Sequence, residues 1–102
     1  MPAIRPDFHE TVIRLRRHLP GLRERYGVTE LGVFGSLLHK PASEVNDIDI
    51  LVSFDDRPVS LFDFVRLKSE LADILGTEVD LVEKKALKPG IGDRIIQEVR
   101  YL

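Results

Sequence analysis

Two seven-residue runs, Val28–Phe34 and Ile48–Phe54, constrain the fold of this chain more than any other feature. In the first, Leu31 and Val33 alternate with Gly32 and Phe34. In the second, Ile48, Ile50 and Val52 share one face, the period-two spacing of a half-buried strand. Between them, residues 37–46 hold Pro41 and several polar groups, a loop with room for one helical turn at its start. A connection of that length lets the two strands pair antiparallel.

The flanking segments repeat with a helical period. Phe8, Val12, Leu15, Leu19 and Leu22 fall on one helical face. Pro20 is expected to end or bend that helix near Leu19, because proline lacks an N–H and clashes with the preceding turn. A short second piece would then run from Pro20 to Tyr26, with Gly27 as its stop. Residues Leu61 to Leu75 give the clearest helix, with Phe64, Leu67, Leu71 and Ile74 as its apolar stripe. Ser60 suits its N-cap, Asp63 its first turn and Gly76 its end. Glu78 to Glu83 reads as a third strand, and the Leu61–Leu75 crossover lets it run parallel to a neighbour. Ile91, Ile95 and Val99 suggest a last helix whose apolar face docks on the sheet. The expected architecture is α/β (α+β): a small mixed sheet flanked by helices, in the order α-β-β-α-β-α.

The 102 residues form one expected domain, 1–102, and a 43% hydrophobic fraction suffices for a core. A formal net charge of −2 argues against direct nucleic-acid binding, which needs a basic patch. The clusters Arg14-Arg16-Arg17 and Lys84-Lys85-Lys88 read as solvated faces. The absence of cysteine excludes disulfides and thiolate metal sites. No apolar run approaches membrane-spanning length, and Met1 to Arg17 lacks a signal-peptide core, so a cytoplasmic location is expected.

Chemistry concentrates between and after the first two strands. Residues two apart on a strand point the same way, so Asp47 and Asp49 project together, opposite Ile48 and Ile50. Paired carboxylates are hard oxygen ligands suited to Mg²⁺. Gly35-Ser36 closes the first strand, where a side-chain-free backbone and a new helical turn can hold an anion. Antiparallel pairing brings this turn beside Asp47 and Asp49. Asp80 is a third acid in a strand, where aspartate is depleted, and joins the other two if its strand neighbours the second. It would then complete the metal site or accept a proton. A lone Gly-Ser is an ordinary turn, and a lone Asp80 an ordinary edge-strand charge. Their combination at this spacing favours a site. His9 and His18 lie on the polar side of the first helix and read as solvated, while His39, shortly after the turn, is weak evidence for a phosphate contact.

Phe34-Gly35-Ser36 followed, after residues 37–46, by Asp47-Ile48-Asp49-Ile50-Leu51-Val52 resembles the signature of the polymerase-beta-like nucleotidyltransferase superfamily. Arg23 to Val28, Ser60 to Asp63, Glu78 to Val82 and Ala86 to Pro89 are similar to its smallest members, the minimal nucleotidyltransferase (MNT) antitoxins. The resemblance implies the fold of that superfamily and AMP transfer from ATP, with Mg²⁺, in two ions, as cofactor. It implies that Gly35, Ser36 and Lys40 bind the nucleotide, and that Asp47, Asp49 and Asp80 are the catalytic, metal-binding carboxylates. The implied acceptor is a tyrosine of a cognate HEPN-domain RNase toxin, silenced by AMPylation within a hetero-oligomer. Where the family commonly carries arginines after Gly-Ser, this chain has Leu37, Leu38, His39 and Lys40. The alternatives are an antitoxin that neutralises its HEPN toxin by binding alone, and a nucleotidyltransferase with another acceptor.

Overall fold

A computed structural model describes residues 6–102. Helix α1 (Phe8–Tyr26) leads into strand β1 (Val28–Phe34), and strand β2 (Ile48–Phe54) follows the loop. Helix α2 (Leu61–Leu75), strand β3 (Val79–Glu83), helix α3 (Ile91–Glu98) and a two-residue strand β4 (Arg100–Tyr101) complete the chain. The sheet order is β3-β2-β1-β4. Strand β1 runs antiparallel to β2 and β4, and β2 runs parallel to β3, so the sheet is mixed as expected.

Alternation along the strands separates two apolar layers. Val33, Ile48, Ile50, Val52, Val79 and Leu81 face α1 and α2, where Leu15, Leu22, Leu67, Leu71 and Leu75 are fully buried. Each such leucine contributes about 1.5–3 kcal/mol through burial. Phe34 and Leu51 point the other way and pack with Val99, Val82, Leu87 and Ile95. Helix α3 therefore covers the opposite face from α1 and α2.

The helix ends follow from their sequence. Ser60 and Asp63 form a capping box, in which the Asp63 N–H donates to Ser60 Oγ at 3.1 Å. Asp7 accepts the Glu10 N–H at 2.8 Å to cap α1.

Four details differ from the sequence expectations. Helix α1 continues through Pro20 as one element. Proline costs a helical hydrogen bond there, yet Leu15, Leu22 and Tyr26 keep one helical phase and are all buried across it. Arg14 does not belong to a solvated face: it is half-buried, pairs with Glu10 at 3.0 Å and donates to the Leu75 carbonyl at 3.2 Å, a cation on the C-terminus of α2. Ile91 is 74% exposed, and the docked face of α3 is formed by Gly92, Ile95 and Val99. Strand β4, pairing Gly32 with Tyr101 and Val33 with Arg100, is too short to leave a periodic signal.

Candidate active site

The three aspartates gather at one end of the α3-covered face. Asp47 sits exposed at the bend entering β2, and Asp49, one strand step inside, is half-buried. Parallel pairing of β2 with β3 sets Asp49 directly beside Asp80. Antiparallel pairing with β1 sets Phe34, the residue before the Gly-Ser turn, on the other side of Asp49. The sheet register thus assembles residues 34–36, 49 and 80 around one carboxylate.

Gly35 shows how tightly the turn is seated. Its φ of 79° lies in the left-handed region, and a Cβ there would stand 2.0 Å from Asp49 Oδ2. Only glycine lets the backbone rest on that carboxylate. A tight helical turn spans Gly35–Leu38, and the Ser36 backbone N–H donates to Asp49. Residues 37 and 38 turn inward: Leu37 is buried and Leu38 packs against the core. His39 and Lys40 are exposed, and the Lys40 N–H donates to the Ser36 carbonyl at 2.9 Å. His9 and His18 face solvent on α1, as expected.

Electrostatics mark the cluster as short of positive charge. Burial, then the adjacent Asp80 and Asp47 charges, push the Asp49 carboxyl up to about 6, against the lowering effect of the Ser36 N–H. Among the described residues, none of the ion pairs includes Asp47, Asp49 or Asp80. Nor do any three histidine or acidic side chains among them converge into a complete metal cage. Mg²⁺ ordinarily takes one or two carboxylates and fills its shell with water and substrate phosphates, so Asp49 and Asp80 fit as a partial donor set.

Two residues escape sequence reasoning. The Gly35 N–H donates to Glu98 Oε1 at 2.8 Å, and Glu98 Oε2 lies 3.5 Å from His39 Nε2. Arg94, one helical turn earlier on α3, lines a cavity with Gly35 and Glu98. Nothing local connects residues 94 and 98 to residue 35. Only the docking of α3 brings them there.

Comparison with known proteins identifies the fold and the family. The nucleotidyltransferase domain family matches residues 15–102. The protein adenylyltransferase MntA of Thermococcus cleftensis is 48% identical over 88 residues, covering 86% of this chain and 88% of the relative. A solved minimal nucleotidyltransferase superposes with a TM-score of 0.75 at 33% identity, covering 95% of this chain and 97% of the other. A chain from the complex of tri-AMPylated Shewanella oneidensis HEPN toxin with MNT antitoxin shares the fold, at a TM-score of 0.64 and 20% identity over 89% of this chain and 70% of that one. This chain belongs to the nucleotidyltransferase domain family.

Proposed function

We propose that the protein is an antitoxin that transfers AMP from ATP to a tyrosine of a HEPN-domain toxin and thereby silences it. The observation carrying this reading is the register that sets Asp49 beside Asp80 while the Gly35 turn rests on Asp49. The adenylyltransferase relative supports the same activity, and the MNT–HEPN complex supports the kind of partner.

Asp49 and Asp80, with Asp47 beside them, would hold Mg²⁺ as a partial donor set, and Gly35, Ser36 and Lys40 would bind the triphosphate. Bound Mg²⁺ supplies charge stabilisation to the oxygens of an in-line displacement. The tyrosine oxygen attacks the α-phosphorus as the bond to the departing pyrophosphate breaks. Asp80, exposed on the outer strand of the sheet, accepts the phenolic proton.

No helix among the described residues is long and apolar enough to cross a membrane. Use of ATP and an RNase target would suit a cytoplasmic antitoxin in a hetero-oligomer with its toxin. The apolar Leu37 and Leu38, which offer no cation to phosphate, favour neutralisation by binding alone as the second reading. Incubation with the neighbouring toxin, Mg²⁺ and ATP labelled at the α- or the γ-phosphate separates the two. Label from the α position alone on toxin tyrosine supports transfer. Suppressed toxicity without label overturns it in favour of occlusion.

A further inference from the structure

A cavity of about 250 Å³ lies between the Gly35 turn and helix α3, lined by Phe34, Gly35, Ile91, Arg94, Ile95 and Glu98. Gly35 is shared by two environments: one side rests on Asp49, and the other forms a wall of this cavity. A phosphate held at Gly35 would therefore border this cavity.

The Gly35 turn itself offers little cationic grip on such a phosphate. Leu37 and Leu38 are turned into the core, which leaves Lys40 as the turn's only full positive charge. An ATP triphosphate carries several negative charges and needs more than one point charge opposite it. The Gly35 N–H is already an anion donor, because it holds a carboxylate oxygen of Glu98 at 2.8 Å. Arg94 stands four residues before Glu98, on the same face of α3, and makes no ion pair among the described residues. Phe34, Ile91 and Ile95 supply apolar walls, which strengthen any charge interaction made against them.

We infer that Arg94 is a triphosphate-binding residue, its guanidinium gripping the β- and γ-phosphates from α3 alongside Lys40. A guanidinium offers a planar fork that matches two phosphate oxygens at once, which lysine cannot do. The cavity is too small for a whole nucleotide, since ligand pockets usually exceed about 300 Å³, and so suits the phosphate tail alone. Phosphate arriving there competes with Glu98 for the Gly35 N–H, and Arg94 offsets the charge that both bring.

This inference rests on the nucleotidyltransferase reading, and titration calorimetry with three probes keeps their failures apart. ATP, inorganic tripolyphosphate and AMP are titrated, each with Mg²⁺, into the wild type, Arg94→Ala and Arg94→Lys. Arg94→Ala is expected to bind ATP and tripolyphosphate about tenfold more weakly, with AMP binding unchanged. Arg94→Lys is expected to recover part of the loss, and its exposed position leaves the melting temperature unaltered. Equal ATP affinity in wild type and Arg94→Ala overturns the Arg94 assignment alone. Equal losses for AMP and ATP also overturn it, since the residue then does not read the β- and γ-phosphates. A wild type that binds no ATP overturns the assignment together with the reading beneath it.

Discussion

Asp49 and Asp80 stand side by side on parallel strands, and the Asp49 carboxyl is pushed up to about 6 by burial and by its acidic neighbours. In the unfolded chain the same carboxyl titrates near its ordinary value of 3.8. Between those two values the folded state holds a proton that the unfolded state has released. The stability this group contributes is therefore fully present below about pH 4 and lost as the pH rises through about 6.

Asp49→Asn is accordingly expected to stabilise the metal-free protein at pH 8 by about 1–2 kcal/mol, a figure reduced from the full shift because the group reaches solvent. Near pH 4 the advantage disappears, since the wild-type carboxyl is then itself neutral. Urea denaturation at both pH values measures this. An identical difference at the two would contradict the assigned titration.

Mg²⁺ is expected to act on the same crowding. A cation bound by the folded state alone raises the unfolding midpoint by mass action. The midpoint of the wild type at pH 8 is expected to climb with Mg²⁺ concentration, whereas Asp49→Asn and Asp80→Asn stay flat. At pH 5, with Asp49 protonated, the wild-type response shrinks. Equal Mg²⁺ responses in all three proteins would exclude these carboxylates as ligands.

The placement of the carboxylates was largely legible in the sequence, because alternation fixes which strand residues share a face. Asp49 and Asp80 fall on faces opposite the core residues Ile48, Ile50, Val79 and Leu81, and the crossover helix α2 forces the parallel pairing that joins them. What stayed hidden depended on tertiary docking. Glu98 reaches Gly35, and Arg94 lines the same cavity, only because Ile95 and Val99 pack on Phe34 and Leu51. Pro20 misled in the other direction: a local rule for breaking helices yields where buried leucines continue in phase on both sides.

That balance at Pro20 can be measured. Pro20 is exposed, so Pro20→Ala loses no packing and restores a backbone donor to the helix. The gain is partly offset because the alanine chain has more freedom when unfolded. A net stabilisation of about 1–2 kcal/mol is expected in urea denaturation. A destabilised variant would mean that the ring makes contacts which hold α1 in place.

Two glycines with nearly the same backbone angle separate strain from function. Gly35 (φ 79°) would drive a Cβ into Asp49, while Gly76 (φ 69°) faces open space. Gly76→Ala is expected to cost about 1 kcal/mol of stability and leave nucleotidyl transfer intact. Gly35→Ala carries the same backbone strain and must also displace the Asp49 carboxylate, so transfer should fall by about a hundredfold or more. Comparable activity in the two variants would show that the close seating of the turn on Asp49 is not required.

The most direct test of the central claim is the intact mass of the partner toxin after incubation with this protein, ATP and Mg²⁺. The wild type is expected to add one or more AMP groups, and the paired substitution Asp47→Asn with Asp49→Asn to add none while remaining folded. A toxin neutralised at unchanged mass, or AMP still added by the doubly substituted protein, would contradict the claim that these carboxylates catalyse adenylyl transfer.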